Sequence, residues 1–138
     1  MPLRVLVETD FLLALNPRDR NHEWALGLLK EARNNNILLY ISPAALIELA
    51  LFLKSRGMSS RVLTEVFEAL SDAITLYTTP HYPVLSLKHL RYALELQSKY
   101  PELSFFDSIH ASISIIDRLA YMGLDNIIKR VIEAEKTV

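Results

Sequence analysis

Five acidic residues stand at positions in this chain from which their carboxylates could do chemistry together. Glu8 and Asp10 follow a short run of β-forming residues, and Glu48 lies inside a long apolar segment. Asp107 and Asp125 stand where helices are expected to begin. Carboxylates that share one site repel each other unless a cation lies between them. Oxygen ligands without cysteine or paired histidines select hard ions, so the pattern predicts a Mg²⁺ or Mn²⁺ site suited to phosphate chemistry.

Each of these acids also has a structural interpretation. Asp10 could stabilise a turn, Asp107 has the spacing of a capping box, and Asp125 could cap a terminal helix. Glu48 is the acid that composition supports best, because residues 44–53 are apolar on nearly every face and predict a buried helix. A carboxylate in such a helix needs a metal ion, an ion pair with a nearby Arg or Lys, or a place on one exposed edge of the helix. Both interpretations stay open at every position.

Alternating strands and helices are expected to position these acids. The predicted strands are 3–7, 37–41, 74–79 and 119–122, and the predicted helices are about 21–34, 43–55, 60–70, 85–100, 104–117 and 126 onward. This order predicts an α/β fold: a three-layer α/β/α sandwich around a central, mostly parallel sheet of about four or five strands. We expect residues 1–138 to form a single domain. Ligands of such sheets bind beyond the carboxyl ends of the strands, where several of the acids are expected.

The composition excludes several classes of function. The chain has no cysteine, which rules out disulfides, thiolate catalysis and cysteine-based zinc sites and suits a cytoplasmic location. No segment reaches the roughly 20 apolar residues of a membrane span, so no membrane association is expected. With 15 basic and 16 acidic residues the net charge is -1, so any attraction for nucleic acid must come from local basic patches or a bound metal ion.

The motifs, in this order and at this spacing, resemble those of the PIN-domain ribonucleases, and among them the VapC-type toxins, over nearly the full length. Residues 5–15 stand where the family has a strand that runs into an Asp-Thr-Asn or similar triplet. Residues 41–49 match the segment that carries the second family acid, residues 106–111 match the third, and residues 123–125 match the fourth.

The resemblance implies a PIN-like fold and a Mg²⁺- or Mn²⁺-dependent endoribonuclease, possibly acting as the toxin of a toxin–antitoxin pair. Its acidic cluster would consist of Glu8, Asp10, Glu48, Asp107 and Asp125. The implied reaction is hydrolysis of RNA by metal-activated water, without a covalent intermediate. The implied partners are a second copy of the chain in a homodimer and an antitoxin protein whose peptide covers the acidic groove.

Two residues depart from the family pattern. Glu8 replaces the usual first Asp, and Gly123 replaces a hydroxyl residue that would supply a hydrogen bond near the last acid. These departures motivate an alternative function: a catalytically impaired PIN-like domain that binds RNA or protein without cutting. His110 lies one turn after Asp107 and either faces the site or occupies a polar helix face, which is the more frequent place for such a histidine.

Overall fold

Strands and helices alternate from the start of the chain. The computed structural model describes residues 1–137, and Val138 lies outside the described residues. The strands are Leu3–Val7 (β1), Ile37–Ile41 (β2) and Ala120–Tyr121 (β3). The helices are Thr9–Ala14 (α1), His22–Arg33 (α2), Pro43–Ser55 (α3), Ser60–Thr75 (α4), Leu87–Lys99 (α5), Phe105–Asp117 (α6) and Asn126–Lys136 (α7).

β1 is the central strand of a parallel sheet with the order β2-β1-β3. Val5 of β1 pairs with Leu39 on one side and with Ala120 on the other. His81 covers the outer edge of β2, because its backbone makes 2.9 Å hydrogen bonds with Leu39 and Ile41. The predicted α/β fold with a parallel sheet is confirmed, although residues 1–137 form three strands rather than the four or five expected.

The strand predicted at 74–79 is absent from the sheet because the first part of this segment is helical. α4 continues to Thr75, and Ile74 is buried on its apolar side together with Phe67 and Leu70. These three residues follow the 3.6-residue period of a helix. The short alternation of apolar and polar residues was therefore the end of a helical pattern.

Helices cover both faces of the sheet. Val5 and Val7 point to one face, and Leu6 between them points to the other, as the two-residue period of a strand requires. The first face packs against α1, α2, α3 and the end of α4. The second face packs against α5 and α6. α7 packs against these two helices, and the three together form a further apolar cluster. Within residues 1–137 no helix is both long enough and apolar enough to cross a membrane.

Candidate metal centre

The first two acids lie directly beyond the carboxyl end of the central strand. β1 ends at Val7, and Glu8 is the N-cap of α1, a helix that the sequence analysis had not predicted. The backbone of Glu8 is extended, and its side chain accepts a 3.4 Å hydrogen bond from the backbone N–H of Asp10. Glu8 is only 5% exposed. One turn of chain therefore places two carboxylates at the end of the strand where α/β proteins bind ligands.

Glu48 lies on α3, beside the two acids of α1. The prediction that α3 is buried on nearly every face is wrong, because Ile47 and Leu51 are 56% and 54% exposed. Ala45 and Leu49 are buried on the side of α3 that packs against the first face of the sheet, the face to which Val5 and Val7 point. Glu48 stands at the border of that buried side, and its carboxylate is directed towards α1 and α6 rather than towards an Arg or Lys.

His110 of α6 joins these acids, and its imidazole is completely buried. Its Nε2 lies 2.9 Å from Oε1 of Glu48 and 3.9 Å from Oε1 of Glu8. On the other side of the ring, Nδ1 lies 2.8 Å from Oγ of Ser42. The hydroxyl of Thr9 donates a further hydrogen bond to Oε1 of Glu48. Ligand atoms of Glu8, Glu48 and His110 thus lie within 4.8 Å of one another.

Asp10 is held on one side only. Its Oδ2 accepts a 2.6 Å hydrogen bond from the backbone N–H of Leu124. Its Oδ1 is buried and has no hydrogen-bond partner in the described part of the chain. Buried polar atoms are nearly always satisfied, so an unpaired carboxylate oxygen at this place is consistent with a cation ligand.

The phenol of Tyr121, on β3, connects Glu8 with the start of the last helix. Its hydroxyl donates a 2.8 Å hydrogen bond to Oε2 of Glu8 and accepts one of 3.4 Å from the backbone N–H of Asp125. Gly123 has no hydroxyl to offer at this end of the sheet. Tyr121 supplies a hydrogen bond to the site instead.

Asp107 and Asp125 combine structural roles with proximity to the site. The hydroxyl of Ser104 caps α6 by accepting from the N–H of Asp107 at 3.2 Å. The Oδ1 of Asp125 caps α7 by accepting from two backbone N–H groups at 2.9 Å. Burial raises the pKa of Asp107, and the charges of Asp125 and Glu48 raise it further. These three carboxylates therefore repel one another across the same space.

The pKa values of the inner acids shift in opposite directions. Burial raises the pKa of Glu8 to about 7, and the charge of Asp10 adds to this shift. Burial also raises the pKa of Asp10. Burial opposes ionisation of Glu48 as well, but hydrogen bonds from His110 and Thr9 outweigh it and lower the pKa of Glu48. Negative charge is thus favoured on Glu48 and opposed on its neighbours, as expected of a site that a cation would stabilise.

These residues fit a divalent metal ion. Oxygens of Glu8 and Glu48 converge beside His110, and Asp10 adds a buried oxygen without another partner. Nε2 of His110 is already engaged with Oε1 of Glu48, so the imidazole orients this carboxylate rather than binding the ion. Carboxylate oxygens suit both predicted ions, Mg²⁺ and Mn²⁺.

The structure brings the predicted acids together to different degrees. Glu8, Asp10 and Glu48 are linked through shared contacts, while Asp107 and Asp125 lie within electrostatic range but outside the tight group of ligand atoms. Two further residues belong to the site. A polar helix face was the favoured prediction for His110, with a position facing the site as the alternative, and the structure buries its imidazole against Glu48. Tyr121 was predicted to be a core or interface residue, and its hydroxyl also contacts Glu8. The position of His110 one turn after Asp107 was the available signal for the histidine. No local pattern marked Tyr121.

The chain matches the PIN domain family over residues 5–133 and therefore belongs to that family. Its fold is similar to that of VapC20 from Mycobacterium tuberculosis, described as a sarcin–ricin loop cleaving toxin: TM-score 0.68, 20% identity, 91% of this chain and 93% of that chain covered. The protein PAE2754 from Pyrobaculum aerophilum is also similar: TM-score 0.59, 16% identity, coverage 98% and 95%. No curated protein matches the chain significantly in sequence.

Proposed function

We propose that this chain is a metal-dependent endoribonuclease that hydrolyses RNA phosphodiester bonds, with Mg²⁺ or Mn²⁺ as its ion. The observation that carries the proposal is the convergence of Glu8 and Glu48 on the buried His110, with the unpaired oxygen of Asp10 beside them. Membership of the PIN domain family supports a nuclease. The fold shared with VapC20, a toxin that cleaves the sarcin–ricin loop, supports RNA as the substrate and a toxin as the biological role.

The residues of the site have different proposed roles. Glu8, Asp10 and Glu48 would hold the ion, and Asp107 and Asp125 would complete the acidic cluster around it. When bound, the ion activates a water molecule and stabilises charge on the departing oxygen. His110 fixes the direction of the Glu48 carboxylate through its 2.9 Å contact.

Cleavage of single-stranded RNA in Mn²⁺ tests the proposal directly. We expect the purified protein to cut the RNA and the Asp107→Asn variant to lose at least about a hundredfold in rate, as for loss of one charged group from an active site. Asp72→Asn is the matched control, because Asp72 is an exposed acid on α4, and its rate should equal that of the unchanged protein. Equal rates for all three proteins would identify a contaminating nuclease and overturn the proposal.

A second function is an impaired PIN-like domain that binds RNA or protein without cutting. The Oδ1 of Asp125 is already engaged in capping α7, and the pKa of Glu8 is about 7, so both acids are weaker ligands than free carboxylates. Retention of labelled RNA by the protein together with unchanged RNA length in Mn²⁺ and in Mg²⁺ would favour this function over the nuclease.

We propose further that the chain forms a homodimer through the exposed side of α3. Ile47 and Leu51 lie one turn apart and Phe52 adjoins them, and all three are exposed. Exposed apolar strips of this kind mark interfaces. Leu51→Glu should convert a dimer into a monomer in light scattering, whereas Leu94→Glu, at an equally exposed leucine of α5 on the other face of the sheet, should not. If the chain alone is monomeric, the strip becomes the candidate surface for an antitoxin.

A further inference from the structure

The hydroxyl of Tyr121 both donates and accepts a hydrogen bond at the site. A phenol has one proton to donate and lone pairs with which to accept. The proton of Tyr121 goes to Oε2 of Glu8, and the oxygen accepts from the backbone N–H of Asp125. Burial raises the pKa of Tyr121, and the charges of Glu8 and Asp10 raise it further, so the hydroxyl stays protonated and remains a donor.

The two oxygens of the Glu8 carboxylate are held unequally. Oε2 accepts the 2.8 Å hydrogen bond from Tyr121, while Oε1 accepts only a 3.4 Å hydrogen bond from the backbone N–H of Asp10 and lies 3.9 Å from Nε2 of His110. Glutamate has more rotatable bonds than aspartate, so its carboxylate is less restricted by its own backbone. The shorter hydrogen bond, from Tyr121 to Oε2, therefore contributes most to the direction in which Oε1 points.

Gly123 provides the space that this tyrosine needs. A Cβ atom added at Gly123 would overlap the hydroxyl and the ring of Tyr121, with Cε1 only 2.8 Å away. Gly123 is not among the glycines with positive φ in residues 1–137, so its backbone conformation does not require glycine. The requirement is one of packing, and it links the residue type at 123 to the side chain at 121.

We propose that Tyr121 is a positioning residue, which holds the carboxylate of Glu8 for the metal ion, and that Gly123 is glycine in order to admit it. This inference rests on the proposed metal-dependent function. Glu8, Tyr121 and Gly123 then form one matched set: a longer acid, a phenol that fixes it, and a residue without a side chain. The simpler role for Tyr121 is packing, since its ring contacts the cluster of α5, α6 and α7.

Tyr121→Phe separates these two roles, because it keeps the ring and removes the hydroxyl. We expect calorimetry to show binding of Mn²⁺ about tenfold weaker, the usual effect of losing one hydrogen bond to a charged group. The rate of RNA cleavage should then need correspondingly more Mn²⁺ and recover at saturation. Tyr100→Phe is the control: its hydroxyl donates a 2.8 Å bond to Glu135 on another surface, and its loss should leave Mn²⁺ binding unchanged.

A double-mutant cycle tests the packing of Gly123 against Tyr121. Gly123→Ala alone should lower both the thermal midpoint and the affinity for Mn²⁺. In a Tyr121→Val background the same substitution should lower neither, because the ring that it would meet is gone. Equal effects of Gly123→Ala in both backgrounds would overturn the proposed link.

The outcomes distinguish this inference from the nuclease proposal. If the unchanged protein binds Mn²⁺ and cleaves RNA, but Tyr121→Phe matches it in affinity and in Mn²⁺ dependence, only the positioning role is overturned. If the unchanged protein binds Mn²⁺ without cleaving RNA, the nuclease proposal fails, while the affinity of Tyr121→Phe still decides the positioning role. If it binds neither Mn²⁺ nor Mg²⁺, both fail.

Discussion

The Nε2 atom of His110 lies 2.9 Å from Oε1 of Glu48, although 62 residues separate the two along the chain. A buried imidazole is thereby oriented by a carboxylate on one side and by the hydroxyl of Ser42 on the other. The contact joins α6 to α3 at the end of the sheet where Glu8 follows β1. We therefore expect His110 to contribute to the stability of the fold and to the orientation of Glu48.

Replacing His110 should reduce stability and metal affinity together. His110→Ala leaves a cavity and removes the partners of Glu48 and Ser42, so we expect a loss of about 2–4 kcal/mol in the free energy of unfolding, measured in urea. Glu68→Ala, at an exposed residue of α4, should change it by less than about 0.5 kcal/mol. A His110→Ala protein as stable as the original would show that the histidine is not structurally engaged.

Replacing Asp107 should raise the stability of the metal-free protein and lower its rate of RNA cleavage. Burial and the charges of Asp125 and Glu48 raise the pKa of Asp107, so its charge is unfavourable in the metal-free protein. Asp107→Asn should therefore raise the thermal midpoint without metal while abolishing cleavage. Differential scanning calorimetry with and without Mn²⁺ measures both effects, and a lower midpoint in metal-free buffer would contradict the expected repulsion.

The affinity for Mn²⁺ should rise with pH. Burial, reinforced by Asp10, raises the pKa of Glu8 from 4.5 to about 7, so a proton competes with the metal ion below neutrality. Affinity should fall up to about tenfold per pH unit below that value. The metal-free protein should show the opposite trend: its folded state holds the extra proton between pH 4.5 and about 7, so its stability decreases as pH rises through this window.

Glu8→Gln provides the control for these pH effects. It removes the titrating carboxyl, so the stability of the metal-free variant should lose most of this dependence on pH. Urea unfolding at pH 5.5 and 7.5 compares the two proteins. An equal change in stability for both would assign the titration to another group, with Asp10 and Asp107 as the next candidates because their pKa values are also raised.

Glu135 should matter for stability and not for cleavage. Its carboxylate accepts hydrogen bonds of 2.8 Å from Tyr92, 2.9 Å from Lys99 and 2.8 Å from Tyr100, which tie the end of α7 to α5. Glu135→Ala should cost about 1–2 kcal/mol at pH 7. These bonds lower the pKa of Glu135, so the difference from the original protein should shrink as pH falls below 4.5. A slower cleavage rate at a temperature where the variant is folded would contradict this separation.

Local sequence patterns were sufficient to predict much of the fold. β1 and β2 have the bounds expected, because each is a short, continuous apolar run limited by polar residues. Ser42 and Pro43 marked the start of α3 correctly, although the hydroxyl of Ser42 binds His110 rather than capping the helix. The segment 74–79 was misinterpreted, because six residues are too few to distinguish a strand from the end of an amphipathic helix.

The site was harder to predict, because its contacts join distant parts of the chain. Glu48 was singled out for a wrong reason, since α3 has an exposed apolar side and is not buried all round. The pairing of Glu8 with Tyr121 spans 113 residues, and no local pattern reveals such a contact. Gly123 was interpreted as a missing hydroxyl, whereas it provides the space for a neighbouring one.

That long-range pairing has a consequence for the time at which the site can form. Residues as far apart as Glu8 and Asp125 contribute to the same site, so the whole segment between them must emerge from the ribosome before the site exists. Domains complete their folding only when such distant segments meet. A nascent chain that ends before Tyr121 contains Glu8 without the hydroxyl that donates to it, so the acidic residues cannot adopt this arrangement until residues 121–125 have also been made.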